Sequence, residues 1–74
     1  KWGFKGINFA IASACASSAH AIGLAATEIM LGRQDAMITG GTESVITGYT
    51  IAGFASMKAL SKRNEEPHRA SRPY

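Results

Sequence analysis

Around Cys15 the chain changes its hydrophobic period, and that change constrains the fold more than any other feature. Residues 8–14 alternate loosely, with Phe9, Ile11 and Ser13 on one side and Ala10, Ala12 and Ala14 on the other. Small residues on one face and larger ones on the other suit a strand packed on both sides. From 16 to 31 the period becomes helical: Ala19, Ile22, Ala26, Ile29 and Met30 recur at the spacing of one helix face, and Gly32 supplies a left-handed stop. A second short apolar run, Ala36-Met37-Ile38-Thr39, then ends in the pair Gly40-Gly41. Strand, helix and strand in that order predict a βαβ unit with a right-handed crossover, and so an α/β fold.

The rest of the chain is less patterned. Residues 42–48 read as a loop, and 49–60 as a second helix packing through Ile51, Ala52, Ala55 and Leu60. Beyond Ser61 the composition turns polar, and Pro67 and Pro73 argue against further regular structure. A 74-residue chain makes at most one small domain, yet 46% of it is hydrophobic and 18% charged. Small domains carry a high surface-to-volume ratio, so apolar faces in this excess are expected to be covered by protein outside these residues. The chain opens at Lys1 and closes at Tyr74 straight after a polar loop. Residues 1–74 are therefore expected to form one partial domain, incomplete at both ends.

Composition narrows the partners. The net charge of +3 comes largely from Lys58, Lys62, Arg63, Arg69 and Arg72, but Glu65 and Glu66 interrupt that tail and no aromatics are interleaved with it. Such a patch fits a small acidic protein better than a nucleic acid, with a solvated loop as the plainer reading. No apolar run approaches the roughly 20 residues of a membrane span. A single cysteine excludes an internal disulfide framework and suits a reducing compartment.

That cysteine falls where the strand-like run meets the helical one, which puts a thiol at the first turn of a helix. Unpaired backbone N–H groups and the positive end of the dipole favour an anionic sulfur there, the nucleophilic form. A lone cysteine is also a common small core residue, and the residues alone leave both readings open. Neither histidine supplies an obvious base. His20 follows Cys15 by five residues, a rotation of about 500° on a helix, so the two side chains point about 140° apart. His68 lies in the polar tail. A complete Cys/His pair cannot be built locally.

Other patterns are weak. Gly40-Gly41 marks a turn and completes no phosphate-binding glycine motif. Asp35, Glu43, Glu65 and Glu66 lack metal-ligand spacing with the histidines, and one thiol makes no structural zinc site, so no metal is expected. Met30, Met37 and Met57 read as core fillers. Ser17 and Ser18 are suited to capping the first turn.

The string Ser13-Ala14-Cys15-Ala16-Ser17-Ser18-Ala19-His20-Ala21-Ile22-Gly23 closely resembles the active-site segment of the elongating beta-ketoacyl-acyl-carrier-protein synthases. The likeness continues through Leu31-Gly32, Asp35, Gly40-Gly41-Thr42-Glu43, Gly53-Phe54 and Met57-Lys58-Ala59-Leu60-Ser61. It ends with Asn64 and Ala70-Ser71-Arg72-Pro73-Tyr74. Ordered agreement across separate motifs is far more specific than the cysteine string alone.

The resemblance implies part of the N-terminal half of a thiolase-like layered αβαβα fold, arranged as strand, nucleophile helix, strand, then helix and polar loop. The strand ending at Ala14 would lie at a sheet edge and pair with its twin in a homodimer. Cys15 would take an acyl chain from the phosphopantetheine thioester of acyl carrier protein, with no other cofactor. Decarboxylative condensation with malonyl-carrier protein would then lengthen that chain by two carbons. Ala14 and Phe54 match positions beside the acyl chain, the small Ala14 leaving room for medium or long chains. Lys58 falls near a basic position that meets the acidic carrier. The family's two catalytic histidines lie further along, and neither His20 nor His68 matches them, so these residues alone are expected to be inactive. The implied location is bacterial cytoplasm or an organellar matrix or stroma. Rival readings are the ketosynthase domain of a modular polyketide synthase, which flanking sequence would reveal, and a non-catalytic module docking an acidic partner through the basic tail. A chain-length partner subunit fits less well, because such relatives generally lack the cysteine.

Overall fold

A computed structural model describes residues 1–73. Tyr74, the last residue of the Ala70–Tyr74 motif, lies outside the described residues. The chain divides into two compact units, Lys1–Glu43 and Ser44–Tyr74, each with one α-helix among the described residues.

In the first unit, a 3-10 turn over Ala14–Ala16 leads into α1, Ser17–Met30. The helix thus starts one residue later and ends one earlier than its period predicts. Its C-terminus closes as a Schellman motif: Gly32 N–H donates to Ile29 O at 2.9 Å and Arg33 N–H to Glu28 O at 3.0 Å. Gly32 takes φ +69°, the left-handed conformation expected of it. The Arg33 guanidinium also pairs with the Glu28 carboxylate at 3.0 Å.

The expected buried face of α1 is corrected. Ala25, 4% exposed, is the one buried residue among those described, whereas Ile22, Ile29 and Met30 stay open. Ala21 and Ala25, four residues apart, face a cleft of about 560 Å³. Phe9 and Ile11 from the chain before the helix also line it, with Met37 and Ile38 from the chain after it.

These two runs were expected to be strands, and neither is. Among the described residues there is no β-strand. A strand exists through its neighbour's hydrogen bonds, and the two runs exchange none; they border one cleft without pairing across it. The first run also cannot reach Ala14 as pleated chain. Ala14 adopts φ +51°, which ends β geometry at that residue. Run, helix and run follow the predicted order, but the sheet is absent.

In the second unit, α2 spans Gly48–Ser56. Thr47, read as loop, is its N-cap: its side chain accepts from Thr50 N–H at 3.3 Å. The helix stops four residues short of the expected 60 because Lys58 takes φ +58°. A second Schellman closure results, with Lys58 N–H donating to Ala55 O at 2.9 Å and Ala59 N–H to Phe54 O at 3.0 Å. Ile51, Ala52, Ala55 and Leu60, expected to pack, are all exposed. The tail is not wholly irregular either: Pro67–Arg69 form a 3-10 turn with proline at its start. Glu66 faces both Arg63, at 3.6 Å, and Arg69, at 3.5 Å, so part of the tail's positive charge is met within the tail.

Candidate active site

Cys15 is exposed and sits at the centre of the 3-10 turn, one turn ahead of α1 rather than on its first turn. The turn is closed by Ala16 N–H donating to Ser13 O at 3.1 Å and by Ser17 N–H donating to Ala14 O. Cys15 N–H takes part in neither bond. The thiol and a backbone donor are therefore presented together at one residue, before the N-terminus of a 14-residue helix. That is the arrangement a thioester carbonyl needs, a nucleophile with a donor for the developing oxyanion.

The turn is strained and braced. Ala14, immediately before the thiol, is one of two non-glycine residues with positive φ among those described; the left-handed region costs an L-residue roughly 1–2 kcal/mol. Ser17 spans the strained pair. Its hydroxyl accepts from Ser13 N–H at 2.8 Å and donates to Ala14 O at 2.7 Å. Ser17 therefore clasps the turn instead of capping α1, whose N-cap position is held by Ala16 without a side-chain bond.

His20 reaches back over this turn, but to Ser13: Ser13 Oγ and His20 Nδ1 share a hydrogen bond at 2.6 Å. The helical rotation that separated His20 from Cys15 is consistent with that choice of partner. The Gly40-Gly41 pair, read as a turn, is irregular chain beside the same helix end, where a Cβ on Gly41 would fall 2.9 Å from Ser18 Cβ. No group of three potential metal ligands occurs among the described residues.

The other candidate residues divide between the units. Ala14 is on the turn that carries Cys15, exposed, and its backbone conformation is its leading feature. Phe54 is half-buried on α2, in a shallow apolar groove of about 260 Å³ shared with Tyr49, Thr50, Gly53 and Met57. Lys58 is exposed at the left-handed C-terminal position of α2, where a cation also complements the helix dipole. Sequence reasoning missed the Ser17 clasp and the Ala14 conformation. A serine two residues after the thiol was visible, but nothing marks an alanine for positive φ.

Comparison with known proteins covers the whole chain. The family model described as "Beta-ketoacyl synthase, N-terminal domain" matches residues 1–74. The chain is 50% identical to the 3-oxoacyl-acyl-carrier-protein synthase 2 of Vibrio cholerae over 97% of its own length and 17% of that protein's. Against the enzyme of the same name from Coxiella burnetii it is 50% identical, over 100% of this chain and 18% of the relative. Against the mitochondrial 3-oxoacyl-acyl-carrier-protein synthase of Arabidopsis thaliana it is 49% identical, over 100% of this chain and 16% of the relative. The chain thus spans under a fifth of the curated relatives it matches, and within that span it belongs to the beta-ketoacyl synthase family through the N-terminal domain.

Proposed function

We propose that Cys15 is the acyl-accepting nucleophile of a condensing enzyme of fatty acid synthesis. The observation that carries this reading is the exposed thiol at the centre of a clasped, strained turn, with its own N–H outside both bonds that close the turn. In the first half-reaction the Cys15 sulfur attacks the carbonyl of an acyl thioester on the phosphopantetheine arm of acyl carrier protein. Negative charge builds on the carbonyl oxygen, and Cys15 N–H is one donor to it. The carbon–sulfur bond to the carrier breaks, the carrier thiol leaves, and the acyl chain remains on Cys15. In the second, malonyl-carrier protein loses carbon dioxide, and the resulting enolate carbon attacks the Cys15 thioester. A carbon–carbon bond forms, the Cys15 thiolate is released, and 3-oxoacyl-carrier protein leaves two carbons longer.

The names of the relatives favour a carrier-protein synthase of this kind over a polyketide ketosynthase. The groups that assist decarboxylation belong to the rest of the protein, since His20 is engaged with Ser13 and His68 lies in the tail turn. In the same reading the runs on either side of α1 become strands of a layered thiolase-like sheet. Phe54 and Ala14 border the acyl chain, and Lys58 meets the acidic carrier. The strand before Cys15 joins two subunits, in bacterial cytoplasm or an organellar matrix. The test is Cys15→Ala in the full-length protein: acyl-enzyme formation and condensation should fall at least about a thousandfold, as deletion of a covalent nucleophile does. Acyl transfer from carrier protein that survived this substitution would sink the assignment.

A further inference from the structure

We propose that Ser17 is a positioning residue for Cys15, acting through Ala14; this rests on Cys15 being the acyl-accepting nucleophile. The direction of the thiol is set by the backbone just before it. Between Ser13 N and Ala14 O lie the φ and ψ torsions of two residues, including the left-handed φ +51° of Ala14. One hydroxyl ties both ends of that stretch: Ser17 Oγ accepts from Ser13 N–H at 2.8 Å and donates to Ala14 O at 2.7 Å. It uses its donor and an acceptor lone pair at once, so rotating it away breaks both bonds. Ser17 is itself fixed, as the first residue of α1, and its own N–H donates to the same Ala14 carbonyl.

The clasp offsets a conformation that alanine otherwise disfavours. Without it, only the two backbone bonds of the turn oppose relaxation of Ala14 toward negative φ, and the thiol and its N–H turn with that relaxation. Reaction between a bound thioester and a nucleophile is sensitive to such displacement, with about a hundredfold loss for an error of one ångström. Both hydrogen bonds of the Ser17 hydroxyl go to backbone and neither to the Cys15 sulfur, so its removal should slow attack without weakening carrier binding.

The experiment is single-turnover acyl transfer from acyl carrier protein to the full-length enzyme. Ser17→Ala should slow acylation about tenfold or more, with KM for the carrier within about twofold. Ser17→Thr keeps the hydroxyl and should recover most of the rate. Adding Ala14→Gly to Ser17→Ala should also recover it in part, because glycine adopts the left-handed region without the cost that the clasp offsets. A Ser17→Ala enzyme acylated at the wild-type rate overturns the proposal, and so does a loss that neither the hydroxyl of the Ser17→Thr variant nor the glycine background repairs. Cys15→Ala, run alongside, separates the two readings. Loss of transfer there with a full-speed Ser17→Ala enzyme sinks only the clasp, whereas transfer surviving in Cys15→Ala sinks the nucleophile itself.

Discussion

Ser13 Oγ and His20 Nδ1 lie 2.6 Å apart, so the one histidine near the thiol in sequence is hydrogen-bonded to the residue two places before it. An exposed hydrogen bond of this kind contributes about 0.5–1.5 kcal/mol. His20→Ala in the full-length protein should lower stability by about 1 kcal/mol or less, read by chemical denaturation. It should leave Cys15 acylation within about threefold of wild type. A loss of several orders of magnitude would give His20 the role of base that its partner argues against.

Gly41 meets the backbone of α1 as well as a side chain. A Cβ there would stand 2.9 Å from Ser18 Cβ and 3.3 Å from Ser18 Cα. The helix backbone cannot swing aside as a flexible side chain can. Gly41→Ala should therefore cost about 1–3 kcal/mol through overpacking. It should also slow Cys15 acylation, because Ser18 adjoins the Ser17 clasp. Gly53→Ala is the matched control: a Cβ on Gly53 meets nothing within 4 Å, and alanine in a helix interior should be neutral to stabilising by up to about 1 kcal/mol.

Local features with a residue-specific signal were legible in the sequence. The period of α1 and the glycine that stops it were both read within a residue or two, because glycine is the residue that takes positive φ without cost. Ala14 and Lys58 take the same conformation with no such signal. One hid the turn that presents the thiol, and the other ended α2 four residues early. The strands failed for a different reason. Alternation reports which faces a run could bury, but pairing needs a neighbour, and the runs around α1 border a cleft instead of each other. Helix burial failed likewise: Ile22 and Ile29 have the right spacing and remain exposed.

Lys58 carries two separable properties, a left-handed backbone and a charge. Lys58→Gly should remove a conformational cost of roughly 1–2 kcal/mol while adding unfolded-chain entropy of about 0.5–1 kcal/mol. The expected net effect runs from no change to a stability gain of about 1.5 kcal/mol. Lys58→Glu keeps the backbone cost and puts an anion at the negative end of α2, a loss of about 0.3–1 kcal/mol. Both remove the cation, so carrier-protein affinity should weaken in both, and more in the glutamate variant. An unchanged binding titration in both would take Lys58 out of the carrier interface whatever the stability data show.

On their own, the described residues leave most of their large apolar side chains in water. Trp2 is 74% exposed, Ile46 86% and Tyr49 92%, against a single buried residue among those described, Ala25. Folding must overcome a backbone entropy cost of about 1–2 kcal/mol per ordered residue, and one buried alanine cannot offset it. The helices have little else to hold them, since isolated helices shorter than about 12–15 residues are marginal in water; α1 has 14 and α2 has 9. The isolated chain should therefore show weak helical circular dichroism, no cooperative thermal transition, and strong binding of a hydrophobic dye. On the proposed reading, in which the rest of the polypeptide supplies strand partners to these runs, amides of residues 8–13 and 36–39 should instead exchange slowly in the full-length protein. A sharp two-state melt from the isolated chain, or fast exchange of those amides in the whole protein, would refute this use of the exposed apolar residues.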